Sequence, residues 1–151
     1  MWPDYVVAPL PATGILPENG IQTFCDDSYR RLLQADAALF RGRGIVFLDP
    51  PYDSVNSFHI WNLFMIQFLR TKWPDCIVAL WYPFIDAVQT ANLLARLAEL
   101  GRGDVLVAEM EVERPSTEQP SRSGVALLGA PGQLEQRLAE ELSMLGHLLG
   151  G

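Results

Sequence analysis

Cysteine, positive charge and long apolar runs are all scarce in this chain, and each scarcity removes a class of protein. The 151 residues include only two cysteines, Cys25 and Cys76, in dissimilar contexts beside expected strands. That rules against a disulfide framework or a zinc site, and both read as buried free thiols. No metal is expected. Basic residues number 11 against 18 acidic ones, a net charge of −7. A protein that grips RNA through its phosphates normally shows a basic surface, so autonomous RNA binding is disfavoured. The cluster Arg30, Arg31, Arg41 and Arg43 still leaves room for a local basic strip. The longest apolar run falls short of a membrane span, and the N-terminus has no basic segment followed by an apolar core. The expectation is a cytoplasmic protein without a membrane partner. Two nucleotide-binding signatures are also missing: a glycine-rich fingerprint after a first strand and a phosphate loop ending in Lys-Ser or Lys-Thr.

What is present is enough for one domain with a real core, since 49% of the residues are hydrophobic. The chain is organised around Gly44–Ser54, GIVFLDPPYDS. Four apolar residues lead into an acid, two prolines and an aromatic, the pattern of a buried strand that stops in a rigid loop. Pro50 and Pro51 restrict the backbone on either side of their shared peptide bond, which leaves Asp49 and Tyr52 on a loop of few conformations. In open α/β sheets ligands bind beyond the carboxyl ends of the strands. An acid, a fixed carbonyl and an aromatic face suit a planar base with an exocyclic amine. The oxygens accept the amine hydrogens, and the ring stacks on Tyr52 for about 1–3 kcal/mol. Accepting both hydrogens favours a pyramidal amine whose lone pair can attack an electrophilic methyl group. The plain alternative is a strand-to-helix turn, for which Asp and Pro are ordinary residues.

Along the rest of the chain, residues 1–20 hold four prolines and two glycines, which predicts an irregular arm; residues 21–151 form the domain. Ile21–Phe24 reads as a short strand. Asp27 or Ser28 starts a helix running through Tyr29, Leu32, Leu33 and Leu39; Asp27 could equally accept a hydrogen bond from a cofactor. Phe58–Thr71 is a helix apolar around much of its circumference and so largely buried, with His59 an ordinary helix residue near its start. Cys76–Trp81 is a second buried strand ending in Tyr82 and Pro83. Trp81 and Tyr82 either wall a crevice with the first loop or cap the core. Asp86–Leu100 is a helix closed by Gly101 and Gly103, Asp104–Val112 a strand, Arg114–Ser123 a flexible polar loop, Gly124–Leu128 the last strand and Gln133–Leu149 a closing amphipathic helix. This alternation predicts a mostly parallel three-layer α/β sheet whose last two strands pair as an antiparallel hairpin.

GIVFLDPPY at Gly44–Tyr52, ALWYP at Ala79–Pro83, the Glu109 region, Ser123–Gly124 and QLEQRL at Gln133–Leu138 together resemble the later half of the bacterial large-subunit (23S) ribosomal RNA adenine-N6 methyltransferases. The order and approximate spacings agree from about Phe24 to Leu149. The resemblance implies a Rossmann-like fold, S-adenosyl-L-methionine as methyl donor and an adenine of ribosomal RNA as substrate. It implies that Asp49, Pro50, Pro51 and Tyr52 are the catalytic motif, in which Asp49 and Tyr52 hold the adenine and the Pro50 carbonyl shares its amine. Asp27 matches the acid that contacts the cofactor's adenine, and Asp49 counts with it on the cofactor side. Trp81, Tyr82 and Pro83 match the segment that shapes the substrate pocket.

The departures are as specific. The family's first half carries the glycine-rich loop for the cofactor's methionine portion, the acid for its ribose and a Tyr–His pair, and residues 1–20 stand in its place. The family's later Asn-Pro-Pro-Trp motif is reduced to Gly129-Ala130-Pro131-Gly132. The fold implied is therefore a partial Rossmann-like domain whose first strands are missing, with the strand before Asp49 left without a neighbour. Each unpaired buried backbone group costs about 1–3 kcal/mol. Pairing by Ile21–Phe24, by a partner chain or by self-association would relieve it. Two readings from other classes stand beside the enzyme: a non-catalytic remnant or binding module that needs a partner chain, and an unrelated α/β interaction domain.

Overall fold

A computed structural model describes residues 27–40, 44–50, 55–84, 86–102, 104–111 and 122–150, with the side chains of 55–59 and 147–150 excepted. The arm at 1–20, the strand expected at Ile21–Phe24, Cys25, and the loop residues Pro51 and Tyr52 lie outside these, as does the side chain of His59. The chain divides into two units, Met1–Asp36 and Ala37–Gly151.

In the first unit, helix α1 spans Ser28–Gln34, and Asp27 is its N-cap: the Asp27 carboxylate accepts from the Tyr29 N–H at 2.9 Å and the Arg30 N–H at 3.1 Å. These are donors that a helix start leaves unsatisfied. Burial, helped by the Asp27 charge, pushes the Tyr29 hydroxyl up to about 12. The expected continuous helix to Leu39 is broken. The backbone turns extended at Ala35, and Ala37–Leu39 form a separate 3-10 turn. In the second unit the Trp73 indole N–H donates to the Ala37 carbonyl at 2.9 Å. Phe40 meets Trp73 edge to face at 5.0 Å.

Among the described residues, the second unit holds, besides the 3-10 turn, one four-stranded sheet and three α-helices. Strand β1 is Ile45–Leu48, α2 Val55–Lys72, β2 Ile77–Pro83, α3 Ala87–Leu100, β3 Val105–Glu111, β4 Arg122–Leu128 and α4 Gln133–Gly150. The strand order is β1-β2-β4-β3. β1 and β2 are parallel, whereas β4 runs antiparallel to both β2 and β3. The expected hairpin of the last two strands is present, but the sheet is not mostly parallel: one neighbouring pair of three is. The returning strand does not sit at the edge. It inserts beside β2, because Gly124, Ala126 and Leu128 are buried while β3 carries Glu109 and the exposed Glu111. The apolar strand takes the interior and the charged one the rim.

Two boundaries differ from expectation. β2 runs on through Pro83, although proline offers no N–H. The neighbouring Phe84 N–H donates to the Arg122 carbonyl at 2.9 Å on the β4 side, so by alternation the Pro83 nitrogen faces the β1 side, where pairing has ended at Leu48↔Leu80. β4 begins at Arg122, inside the expected loop.

The core gathers around β2, with Val78, Leu80, Ile66, Leu69, Cys76, Leu97 and Leu128 fully enclosed. Cys76 is a buried free thiol, as its context implied. Helix α2 is less buried than its composition suggests. Met65, Ile66 and Leu69 are buried along it and Trp73 is buried just beyond its end, whereas Ile60, Trp61 and Phe64 are exposed. Asp86 caps α3 through the Gln89 N–H at 2.8 Å. At the other end of α3, Gly101 keeps right-handed dihedrals, φ −79° and ψ −5°, and serves by its size, since a Cβ there would lie 2.4 Å from Val105 Cγ2. The left-handed residue is Arg102, at φ 55°, a conformation unfavourable for a side-chain-bearing residue. Accordingly, Arg102→Gly should raise stability by up to about 1 kcal/mol and Arg102→Val should lower it by a similar amount, read from urea unfolding midpoints.

Candidate functional site

The parallel register Leu48↔Leu80 brings Asp49 level with the residue after Leu80, which is Trp81. Asp49, Pro50 and the Trp81–Pro83 segment thus lie at one end of the sheet, the carboxyl end of β1 and β2. Asp49 is exposed and Pro50 half-buried. Trp81 is half-buried, whereas Tyr82 is only 1% exposed. Asp27 lies in the first unit and its carboxylate is engaged in capping.

The same end of the sheet holds a network that reading the sequence did not foresee. Tyr82 and Glu109 face the same residue, Gly124, from opposite sides of β4. A Cβ at Gly124 would lie 2.4 Å from both Cζ and Oη of Tyr82. The bare glycine therefore lets the phenol cross the middle strand. Its hydroxyl donates to Glu109 Oε1 at 2.9 Å, and the Arg122 guanidinium donates to Glu109 Oε2. Arg122 in turn lies over the Phe84 ring, 4.5 Å from its centroid. Arg122 and Phe84 escaped notice because nothing in the sequence marks a pairing across two strands. The visible signal was a glutamate and a glycine inside otherwise apolar strands.

Electrostatics follow from the geometry. The hydrogen bond from Arg122, and then that from Tyr82, hold the Glu109 carboxyl below the ordinary glutamate value against the opposing effect of its partial burial. Burial, then the Glu109 bond and charge, push the Tyr82 hydroxyl well up, so it remains a donor throughout the accessible pH range.

A hollow of about 550 Å³ lined by Arg70, Asp75, Asp104, Gly129 and Pro131 lies at the opposite end of the sheet. There the Arg70 guanidinium is engaged with the Pro74 and Cys76 carbonyls at 3.0 and 3.3 Å. It holds a helix end and is remote from Asp49.

With this geometry in view, comparison with known proteins decides the kinship. A family model described as ribosomal RNA large subunit methyltransferase D, RlmJ, matches residues 8–151. The chain belongs to this family. A curated relative, ribosomal RNA large subunit methyltransferase J of Haemophilus influenzae, is 24% identical over 143 residues, which are 93% of this chain and 50% of that protein. The chain thus spans about half the length of the curated relative it matches. The crystal structure of protein LPL1258 from Legionella pneumophila superposes with a TM-score of 0.66 at 19% identity, covering 82% of this chain and 45% of that one. The sheet is therefore a fold that LPL1258 shares.

Asp49 is an exposed carboxylate level with Trp81, and the described residues include no glycine-rich loop of the kind that would hold the methionine portion of S-adenosyl-L-methionine. Among the described residues no helix is long and apolar enough to cross a membrane.

The network makes a prediction for stability. Tyr82→Phe should cost about 1 kcal/mol, the net worth of one hydrogen bond, and Gly124→Ala about 1–3 kcal/mol by driving the ring off its path, both measured by urea unfolding. Because the Glu109 carboxyl is held low, its contribution is complete above the ordinary glutamate pKa and is lost as pH falls through the depressed one. The stability gap between the parent chain and Glu109→Gln should thus be full at pH 7 and close in acid, read from unfolding midpoints across a pH series.

Proposed function

We propose that this chain is the acceptor-binding half of an S-adenosyl-L-methionine-dependent ribosomal RNA adenine-N6 methyltransferase, a partial Rossmann-like domain acting in the cytoplasm. The observation that carries the reading is Asp49: an exposed carboxylate directly after β1, at the same end of the sheet as Trp81–Pro83, in a chain matched by the family model over residues 8–151. The chain's own residues divide the work. Asp49 and the Pro50 carbonyl accept the amine hydrogens of a flipped-out adenine, Tyr52 and Trp81 provide aromatic faces, and Tyr82 acts from behind. Locked to Glu109, Tyr82 fixes the backbone that presents Trp81 and Pro83. S-adenosyl-L-methionine, when bound, supplies an electrophilic methyl group. Its cradle is outside the described residues, so no transfer step is assigned to this chain alone.

A second reading, a non-catalytic binding module of the same family, is favoured by one observation: the Asp27 carboxylate, which the resemblance matches to the acid that contacts the cofactor's adenine, is engaged in the cap of α1. The two readings part on a chimera. With residues 21–151 substituted for the matched segment of the Haemophilus influenzae relative, the first reading expects methyl transfer to an adenine amine of large-subunit ribosomal RNA. Asp49→Ala should reduce that rate at least about 100-fold without altering the melting temperature, since the side chain is exposed. A chimera that folds but transfers nothing, or equal rates with and without Asp49, would overturn it. The purified chain alone should give no micromolar S-adenosyl-L-methionine binding by calorimetry.

A further inference from the structure

The Arg122 guanidinium is fixed before any ligand arrives. It lies over the Phe84 ring, 4.5 Å from the centroid, and it donates to Glu109 Oε2. Glu109 is itself held by the Tyr82 hydroxyl at 2.9 Å. The Phe84 N–H donates to the Arg122 carbonyl at 2.9 Å, so ring and guanidinium stand on one backbone pairing. A long side chain held in this way has little freedom left to lose on binding. Yet the Arg122 side chain keeps 38% of its surface exposed, and apart from the bond to Glu109 its N–H groups have no partner among the described residues. What it presents outwards is the side turned away from Phe84, with several donors around its rim. Charge selects among ligands. Glu109 neutralises Arg122, and the exposed Glu111 is its direct cross-strand partner, so a phosphate would meet no net positive charge here. A flat polar group backed by an aromatic ring instead suits a nucleobase, which stacks on the guanidinium plane and accepts its N–H groups through ring nitrogens and carbonyl oxygens.

Resting on the family reading above, we propose that Phe84 and Arg122 form a stacking platform for a nucleobase that flanks the target adenine in the RNA strand. Placement supports it. Asp49 is level with Trp81, and Phe84 follows Trp81 by three residues, about 10 Å further along the strand direction. Arg122 is on the second strand over from β1, about 10 Å to the side. A few nucleotides span that separation. By alternation, Phe84 and Trp81 lie on opposite faces of the sheet, so a strand of RNA touching both crosses the end of the sheet between them. The platform orients that strand without touching the reacting amine. It selects for an unstacked base and not for one base over another, since every base has a π-face.

The test titrates the full chain with a short single-stranded RNA carrying one adenine between guanines, and with the same strand made abasic at the flanking positions, while NMR follows the Arg122 Nε–H and the Phe84 ring. Saturable shifts of both groups are expected with the first RNA, and the abasic strand should bind at least about fivefold more weakly. Arg122→Lys keeps the charge and loses the plane. That variant and, independently, Phe84→Leu should remove the preference for the strand with flanking bases, leaving affinity for the abasic strand and the circular dichroism spectrum unchanged. A folded chain whose Arg122 and Phe84 signals do not move overturns the proposal, as do equal affinities for the two strands. So does binding that Arg122→Lys retains and added salt abolishes, which would make the contact a phosphate. The adenine site is scored separately. Shifts at Arg122 and Phe84 with none at Asp49 or Trp81 leave the platform standing and remove the acceptor reading, whereas shifts at Asp49 and Trp81 alone do the reverse.

Discussion

Everything at the functional end of this sheet depends on the strand that enters it backwards. β4 pairs with β2 along one edge and β3 along the other, so its backbone groups are satisfied on both sides, and the residues it buries, Gly124, Ala126 and Leu128, are small or apolar. That single insertion sets the order of the sheet and places Glu109 two strands from Tyr82 but within reach of its hydroxyl. It also brings Arg122 to the same end as Asp49. Were β4 to add at the outside instead, Glu109 would sit beside β2 and no side chain would need to cross a strand.

The two edges of the sheet contrast. One, β3, carries Glu109 and Glu111; the other, β1, is apolar on both faces and has a neighbour on one side only among the described residues.

Much of the fold was legible because its signals are local. The strand before Asp49 stops where two prolines begin, Asp86 precedes a helical run, and the last two strands are joined closely enough to pair. What could not be read depends on partners far along the chain. The insertion of β4 beside β2 is a choice among sheet edges. The bond from the Trp73 indole to the Ala37 carbonyl joins residues 36 positions apart. The exposure of Trp61 and Phe64 reflects which neighbours are present, and composition cannot report that. Asp49 and the Trp81–Pro83 segment lie at one end of the sheet, as neighbouring parallel strands with like endings imply, and Asp27 caps α1. Arg122 was misplaced into a loop, because its strand is held by Glu109 and by the bond from the Phe84 N–H, neither of which leaves a periodic mark.

The crossing of Tyr82 over Gly124 also binds two positions into one unit of inheritance. Neither can change alone without cost: a side chain at Gly124 meets the ring, and a smaller residue at Tyr82 leaves a gap above a bare backbone and a glutamate with one donor fewer. A lineage that loses the tyrosine frees the glycine to vary, while one that gains a side chain on the middle strand must first retract the ring. The order of those two events is imposed by geometry.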